Sequence, residues 1–411
     1  MHDETSLIAL VAIGLGFALV GGLIANRLRL SPIIGYLLAG IAIGPFTPGF
    51  VGEAHLASQL AEIGVMLLMF GVGMHFSVDD LVAVRNVAVP GALAQIVVAT
   101  ALGAGVALLW GWSFGAGLVF GLALSVASTV VLLRALESAK AVETPDGKIA
   151  IGWLIVEDLI MVLALVLLPA FAEQLGGSPA AGHHHAGGEN IWRSLGLALG
   201  KVALFIGIML VVGPRVFPWL LKQVERTGSR ELFTLAVIAL ALGVAFGSAK
   251  LFDVSFALGA FFAGVVVNQS DFNKRAAKDL QPLQDAFGVL FFVAVGMLFD
   301  PMILVREPLQ VLTVVAIIII GKSLAAFGIV LALRCPVSTA LTVSAALAQI
   351  GEFSFILAAL GVSLGLISLE AQNLILAGAL LSITLNPLVF YAASRLRQAR
   401  RCRPEHEGGK V

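Results

Sequence analysis

Ser31-Pro-Ile-Ile-Gly35-Tyr-Leu-Leu-Ala-Gly40 returns 224 residues later as Ser255-Phe-Ala-Leu-Gly259-Ala-Phe-Phe-Ala-Gly264, with the serine and both glycines kept. Met66-Leu-Leu-Met-Phe-Gly-Val-Gly73-Met74 returns at a shift of 223 as Val289-Leu-Phe-Phe-Val-Ala-Val-Gly296-Met297. Two matches at nearly one offset point to an internal duplication. Both stretches are apolar and lie in long apolar runs, so the repeated unit is a set of membrane helices.

The rest of the chain has the same character. Of its 411 residues 59% are hydrophobic and 12% charged, against about 25% charged in an average soluble chain. That excludes a soluble globule. The runs are continuous, without the alternation of a barrel strand, so the class is an all-α polytopic membrane protein. Polar breaks delimit about thirteen helices. They fall near 7–26, 31–46, 57–75, 87–110, 114–134, 149–172, 192–214, 230–248, 254–269, 284–300, 308–332, 339–361 and 371–394. No small-residue cleavage site follows the first run, which reads as a retained span. Cys335 and Cys402 are too few and too far apart for a disulfide framework.

Charge sets the expected orientation. Alternate loops and the C-terminal tail hold twenty of the 25 basic residues, among them Arg134, Lys140, Lys148, Arg215, Lys222, Arg226, Arg230, Lys274, Arg275 and Lys278. The positive-inside bias then predicts an inner-membrane protein with its N-terminus outside and its C-terminus in the cytoplasm. His183, His184 and His185 fall in an external low-complexity loop, where they read as a compositional feature more than a metal site. The segment 395–411 reads as a short basic tail near anionic lipid, with no Gly-x-Gly-x-x-Gly signal of a nucleotide-binding domain.

The offset spans an odd number of expected helices, so the second copy, about 254–394, runs inverted to the first, about 30–172. Secondary transporters use such inverted repeats, with broken helices meeting near the midplane. The same shift carries Ser128 and Thr129 onto Gly351 and Glu352, and both of those runs are interrupted by polar residues.

The sixth run contains Gly152-Trp-Leu-Ile-Val-Glu157-Asp158-Leu-Ile-Met-Val-Leu. Ionised groups inside a span cost about 2.5–3.5 kcal/mol on insertion scales and usually line a pathway. Neighbours on a helix differ by about 100°, so Asp158 leads and Glu157 assists, or Glu157 only bonds a neighbouring helix. Desolvation favours a protonated carboxyl and a nearby cation the ionised form, so one carboxyl can hold either a proton or a metal ion. Lys322 interrupts another span and needs a partner, for which Asp158 is the expected one. Lys201, near the start of its span, reads as a snorkelling side chain. Ser125, Ser128 and Thr129 in one run, with Gln349, Gly351 and Glu352 in the other, offer oxygen ligands for a hard monovalent cation. Close helix packing is the competing reading of the small residues, and the only one for Gly117/Gly121 and Gly243/Gly247.

These motifs together resemble the membrane domain of the monovalent cation:proton antiporter-2 family, of the Kef/YbaL type. The resemblance covers nearly the whole chain through Leu30 to Gly40, Ser128-Thr129, Gly152 to Asp158, Leu290 to Met297 and Gln349 to Phe353. It implies a sodium/proton-antiporter-like fold of thirteen helices with two crossing broken ones, elevator-like alternating access, and a homodimer. It also implies that Asp158 is the ion-binding aspartate, that Ser128-Thr129 marks the first break, and that Lys322 pairs with the aspartate. Glu157 departs from the Gln-Asp pair typical of Kef proteins. The expected function is K+/H+ exchange, the two ions competing for Asp158, with no cofactor and no enzymatic activity. Na+/H+ exchange is the near alternative and a gated cation channel the alternative of another class.

Overall fold

The computed structural model describes residues 6–28, 30–48, 52–75, 78–142, 144–178, 191–252 and 254–401. The three histidines 183–185 and the tail beyond 401 lie outside them. In chain order the helices are α1 (Ser6–Arg27), α2 (Pro32–Ile43), α3 (Ala54–His75), α4 (Val78–Leu109), α5 (Phe114–Ser125), α6 (Thr129–Ser138) and α7 (Pro145–Phe171). Then come α8 (Ile191–Val211), α9 (Gly213–Glu225), α10 (Arg230–Phe252), α11 (Phe256–Asn268), α12 (Asn273–Met297), α13 (Ile303–Arg306) and α14 (Pro308–Ala316). A π-helical turn (Ile317–Gly321) leads into α15 (Lys322–Ala332), followed by α16 (Val337–Ala346), α17 (Glu352–Ser363) and α18 (Leu369–Arg401).

The protein is all-helical among the described residues, and seven of its helices are long and apolar enough to cross a membrane. An eighth crossing results if α8 and α9, bent by 48°, count as one. The thirteen expected runs each coincide with a helix or an adjoining set of helices. The lower count arises in part because α2, α5, α11, α16 and α17 are short apolar helices of 10–17 residues, which accounts for four of the runs. Hydropathy understated three elements whose polar turns continue a helix beyond its apolar stretch. Helix α4 begins at Val78, α12 at Asn273, and α18 runs on to Arg401, through the first part of the expected tail. Helix α9 was not anticipated.

Two compact units divide the chain. One comprises residues 1–78, 160–305 and 359–373; the other comprises 79–159, 306–358 and 374–411. The first is built on close helix contacts at the repeated glycines. A methyl group on Gly40 of α2 would overlap the Val293 carbonyl of α12, and one on Gly296 would overlap the Leu37 carbonyl of α2. The contact between α3 and α11 is the counterpart: Gly73 meets the Phe261 carbonyl and Gly264 the Phe70 carbonyl. Gly40 and Gly264 are equivalent positions of one motif, Gly73 and Gly296 of the other, so each motif packs on the other motif's second copy. Without a hydrophobic force between helices in lipid, backbone approach of this kind is the main source of packing energy. Outward-facing Leu19, Val20, Leu23 and Ile24 of α1 are more than half exposed, as suits contact with acyl chains.

In the second unit Gly121 abuts the Thr100 carbonyl, so α5 packs on α4 through its expected small-residue face. Gly243 and Gly247 of α10, expected to pack likewise, have no described atom within 4 Å. Gly73→Val is therefore expected to cost about 1–3 kcal/mol by overpacking, read as a lower unfolding temperature of the detergent-solubilised protein. Gly243→Val serves as the control that leaves the temperature unchanged.

Candidate functional site

Every candidate site residue falls within the second unit. Helix α5 ends at Ser125, residues 126–128 are extended, and α6 starts at Thr129. Helix α16 ends at Ala346 and α17 starts at Glu352 after a non-helical passage. Each break frees backbone groups that a membrane interior cannot hydrate, and each such group left unsatisfied costs several kcal/mol.

The two breaks satisfy each other. The Ser128 amide N–H donates to Gln349 Oε1 at 2.9 Å, and Gln349 Nε2 donates back to the Ser128 carbonyl at 3.2 Å. A Cβ on Gly351 would sit 2.5 Å from Ser128 Cα, so only glycine permits this approach. The Ser128 hydroxyl caps α6 by accepting from the Val131 N–H at 3.3 Å. Further donors come from neighbouring helices. Gln95 Nε2 of α4 reaches the Ser125 carbonyl at 2.9 Å. Asn386 Nδ2 of α18 reaches the Ala345 carbonyl at 3.0 Å, and Ser323 Oγ of α15 the Ser344 carbonyl at 3.2 Å.

Four ionisable side chains gather at these breaks. Glu157 and Lys322 are fully buried, Asp158 is 6% exposed and Glu352 7%. Glu157 Oε2 accepts from the Ala127 N–H at 2.9 Å, within the first break. Lys322 Nζ donates to the Gln349 carbonyl at 3.0 Å, within the second. The ammonium of Lys322 interacts with the charge of Glu157. Lys322, expected to pair with Asp158, is held in the structure by the Gln349 carbonyl.

Asp158 Oδ2 accepts from Thr129 Oγ1 at 3.1 Å, and the carboxylates of Glu352 and Glu157 act on it with like charge. One oxygen of each carboxylate, Glu157 Oε1, Asp158 Oδ1 and Glu352 Oε2, is buried with no hydrogen-bond partner among the described residues. Oxygen atoms in that condition are suited to a bare cation or a proton. The Ser125 hydroxyl instead donates to its own helix, to the Leu122 carbonyl at 2.8 Å. Among the described residues no group of three His, Cys, Asp or Glu side chains has the arrangement of a metal centre.

Lys322 comes directly after the π-helical turn Ile317–Gly321. A π turn inserts a residue into one helical turn and so redirects the side chains of the next helix, which is why such turns concentrate at functional sites. Reading the sequence missed Gln95 and Asn386, although each is a lone amide in an apolar run and therefore carried a signal. It missed Ser323 and the π turn because neither has a distinguishing pattern.

Residues 15–392 match the family model of sodium/hydrogen exchangers, transmembrane region. The chain is 58% identical over 390 residues to YbaL of Escherichia coli (strain K12), by its name a candidate cation/proton antiporter, covering 95% of this chain and 69% of that protein. It is 33% identical over 380 residues to K(+) efflux antiporter 4 of Arabidopsis thaliana, covering 92% and 61% respectively. Among solved structures, the sodium proton antiporter MjNhaP1 from Methanocaldococcus jannaschii superposes with a TM-score of 0.66 over 95% of this chain and 98% of that one. Their identity is 16%, so this likeness is one of fold.

Because the Ser125 carbonyl depends on a buried amide, Gln95→Leu is expected to destabilise the protein by about 1–3 kcal/mol. Thermal unfolding in detergent measures it, with Gln95→Glu retaining an acceptor but no amide donor and giving no rescue.

Proposed function

The chain belongs to the sodium/hydrogen exchanger family, and on that footing we propose that it exchanges a monovalent cation for protons across the membrane, with K+ the preferred cation. The observation that carries the reading is Asp158. It is buried beside two broken helices, held through one oxygen by Thr129, and left with the other oxygen unpartnered. Lys322, among the described residues the one cation of the cluster, is engaged by the Gln349 carbonyl. Asp158 and Glu352 therefore lack a resident positive charge, and a proton or a metal cation supplies it.

In this reading protonation of Asp158 releases the cation and deprotonation readmits it, once from each side of the membrane. Reorientation is favourable only when the carboxylate is neutralised, because a bare charge in a low-dielectric interior carries a large desolvation cost. That requirement couples the two ions. Thr129 orients the carboxylate, Ser128 and Gln349 fix the breaks around it, and Glu352 contributes the second unpartnered oxygen. K+ is preferred over Na+ on the strength of the name of the Arabidopsis relative, a potassium efflux antiporter. A homodimer and alternating access by movement of one part against another belong to the same proposal.

The test is proton flux into proteoliposomes, read by an internal pH dye after K+ or Na+ is added outside. Wild type is expected to move protons in response to K+, Asp158→Asn to move none while remaining folded, and Glu352→Gln to need more cation for half-maximal exchange. Exchange at the wild-type rate in Asp158→Asn would remove that residue from the mechanism. Cation flux without proton movement would make the protein a channel.

A further inference from the structure

Helix α9 has two faces of different chemistry. Gly213, Phe217 and Leu221, four residues apart, form the buried face. Gly213 lies so close to α11 that a Cβ there would be 2.9 Å from a Val266 methyl. Arg215, Trp219, Lys222 and Arg226 succeed one another at spacings of four, three and four, which places them on one outward stripe. Trp219 is 59% exposed, an unusual state for so large a side chain.

The charges on that stripe are uncompensated. Among the described residues no carboxylate pairs with Arg215, Lys222 or Arg226; Arg215 donates to the Val211 carbonyl and Arg226 to Gln223 Oε1 at 3.2 Å. The acidic groups nearby are occupied. Glu225 pairs with Arg275 at 3.3 Å, and Asp279 pairs with Arg230 at 3.3 Å. Arg275 itself lies over the Phe233 ring at 4.1 Å, turned to the interior of the unit.

The residues just before the stripe identify its partner. Leu210, Val211 and Val212, at the end of α8, are 48%, 59% and 45% exposed, and the chain then bends by 48° into α9. The outer surface thus passes from acyl-like side chains to a tryptophan and three cations, beginning within one turn of the bend. A bilayer makes the same passage from hydrocarbon to headgroup, and tryptophan favours the boundary. A helix of this composition lies along a membrane surface with its cations at phosphate level.

We propose that the outward stripe of α9, Arg215, Trp219, Lys222 and Arg226, is a binding surface for the phosphates of anionic lipid headgroups. The proposal is independent of the transported ion. Seating lipid on this stripe presses the opposite face of α9 against α10 and α11, so the bound lipid is part of the packing of the first unit.

The experiment uses the full chain in vesicles of phosphatidylcholine containing a minor fraction of phosphatidylglycerol, with either lipid brominated in its acyl chains. The fluorescence of wild type minus that of Trp219→Phe reports Trp219 alone. Brominated phosphatidylglycerol is expected to quench it far more than its bulk fraction predicts, the three cations enriching anionic lipid on the order of tenfold. The enrichment should disappear in the combined variant Arg215→Gln, Lys222→Gln, Arg226→Gln and persist in Arg27→Gln, Lys274→Gln, Lys278→Gln, which removes as much charge elsewhere. Quenching in proportion to bulk lipid composition in wild type would overturn the proposal, as would enrichment that survives the first variant. Loss of the preference on adding inorganic phosphate would assign the stripe to free anions instead.

Discussion

The hydrogen-bond exchange between Ser128 and Gln349 is the constraint on which the site depends. Breaking a helix inside a membrane is prohibitively costly unless the freed backbone finds partners. Here each break supplies them to the other: the backbone of Ser128 bonds the Gln349 side chain in both directions, and the Gln349 carbonyl receives Lys322. The carbonyls of Ser125, Ser344 and Ala345 draw on Gln95, Ser323 and Asn386 from three surrounding helices. The packing at Gly351 has the same origin, since any side chain there would hold the breaks apart.

Charge placement builds on that backbone. Glu157 and Lys322 each bond one break directly, through the Ala127 amide and the Gln349 carbonyl, and they interact with each other. Each therefore ties its own helix to one of the two breaks. Asp158, one residue along, is left outside this arrangement. Its single hydrogen bond comes from a threonine hydroxyl, a partner that holds the group without neutralising it.

Much of this was legible in the sequence because membranes penalise polar atoms so heavily. A carboxylate pair at 157–158 and a lysine at 322 stand out in apolar runs, and the repeated glycines at 40, 73, 264 and 296 mark the closest helix approaches. The bond from Lys322 to the second break was not legible: spacing along the chain does not say where Lys322 lies, and the π turn before it has no signature in Ile-Ile-Ile-Ile-Gly. Helix α9 escaped for a different reason. It is half apolar and 13 residues long, so a search tuned to continuous spans passes over it.

Net charge gives the site its most restrictive property. Among the described residues the cluster has three buried carboxylates and one ammonium, and with all four ionised it would hold two uncompensated negative charges in a medium that tolerates none. Protons or bound cations must therefore fill the deficit. Asp158 and Glu352 act on each other with like charge. An ion or proton that occupies one lowers the demand at the other, so removing a cation without supplying a proton returns the full electrostatic cost. In the exchange proposed above, tight coupling between proton and cation would then need no separate gate. It results from the number of carboxylates, the single lysine and the burial that keeps all four away from a screening solvent.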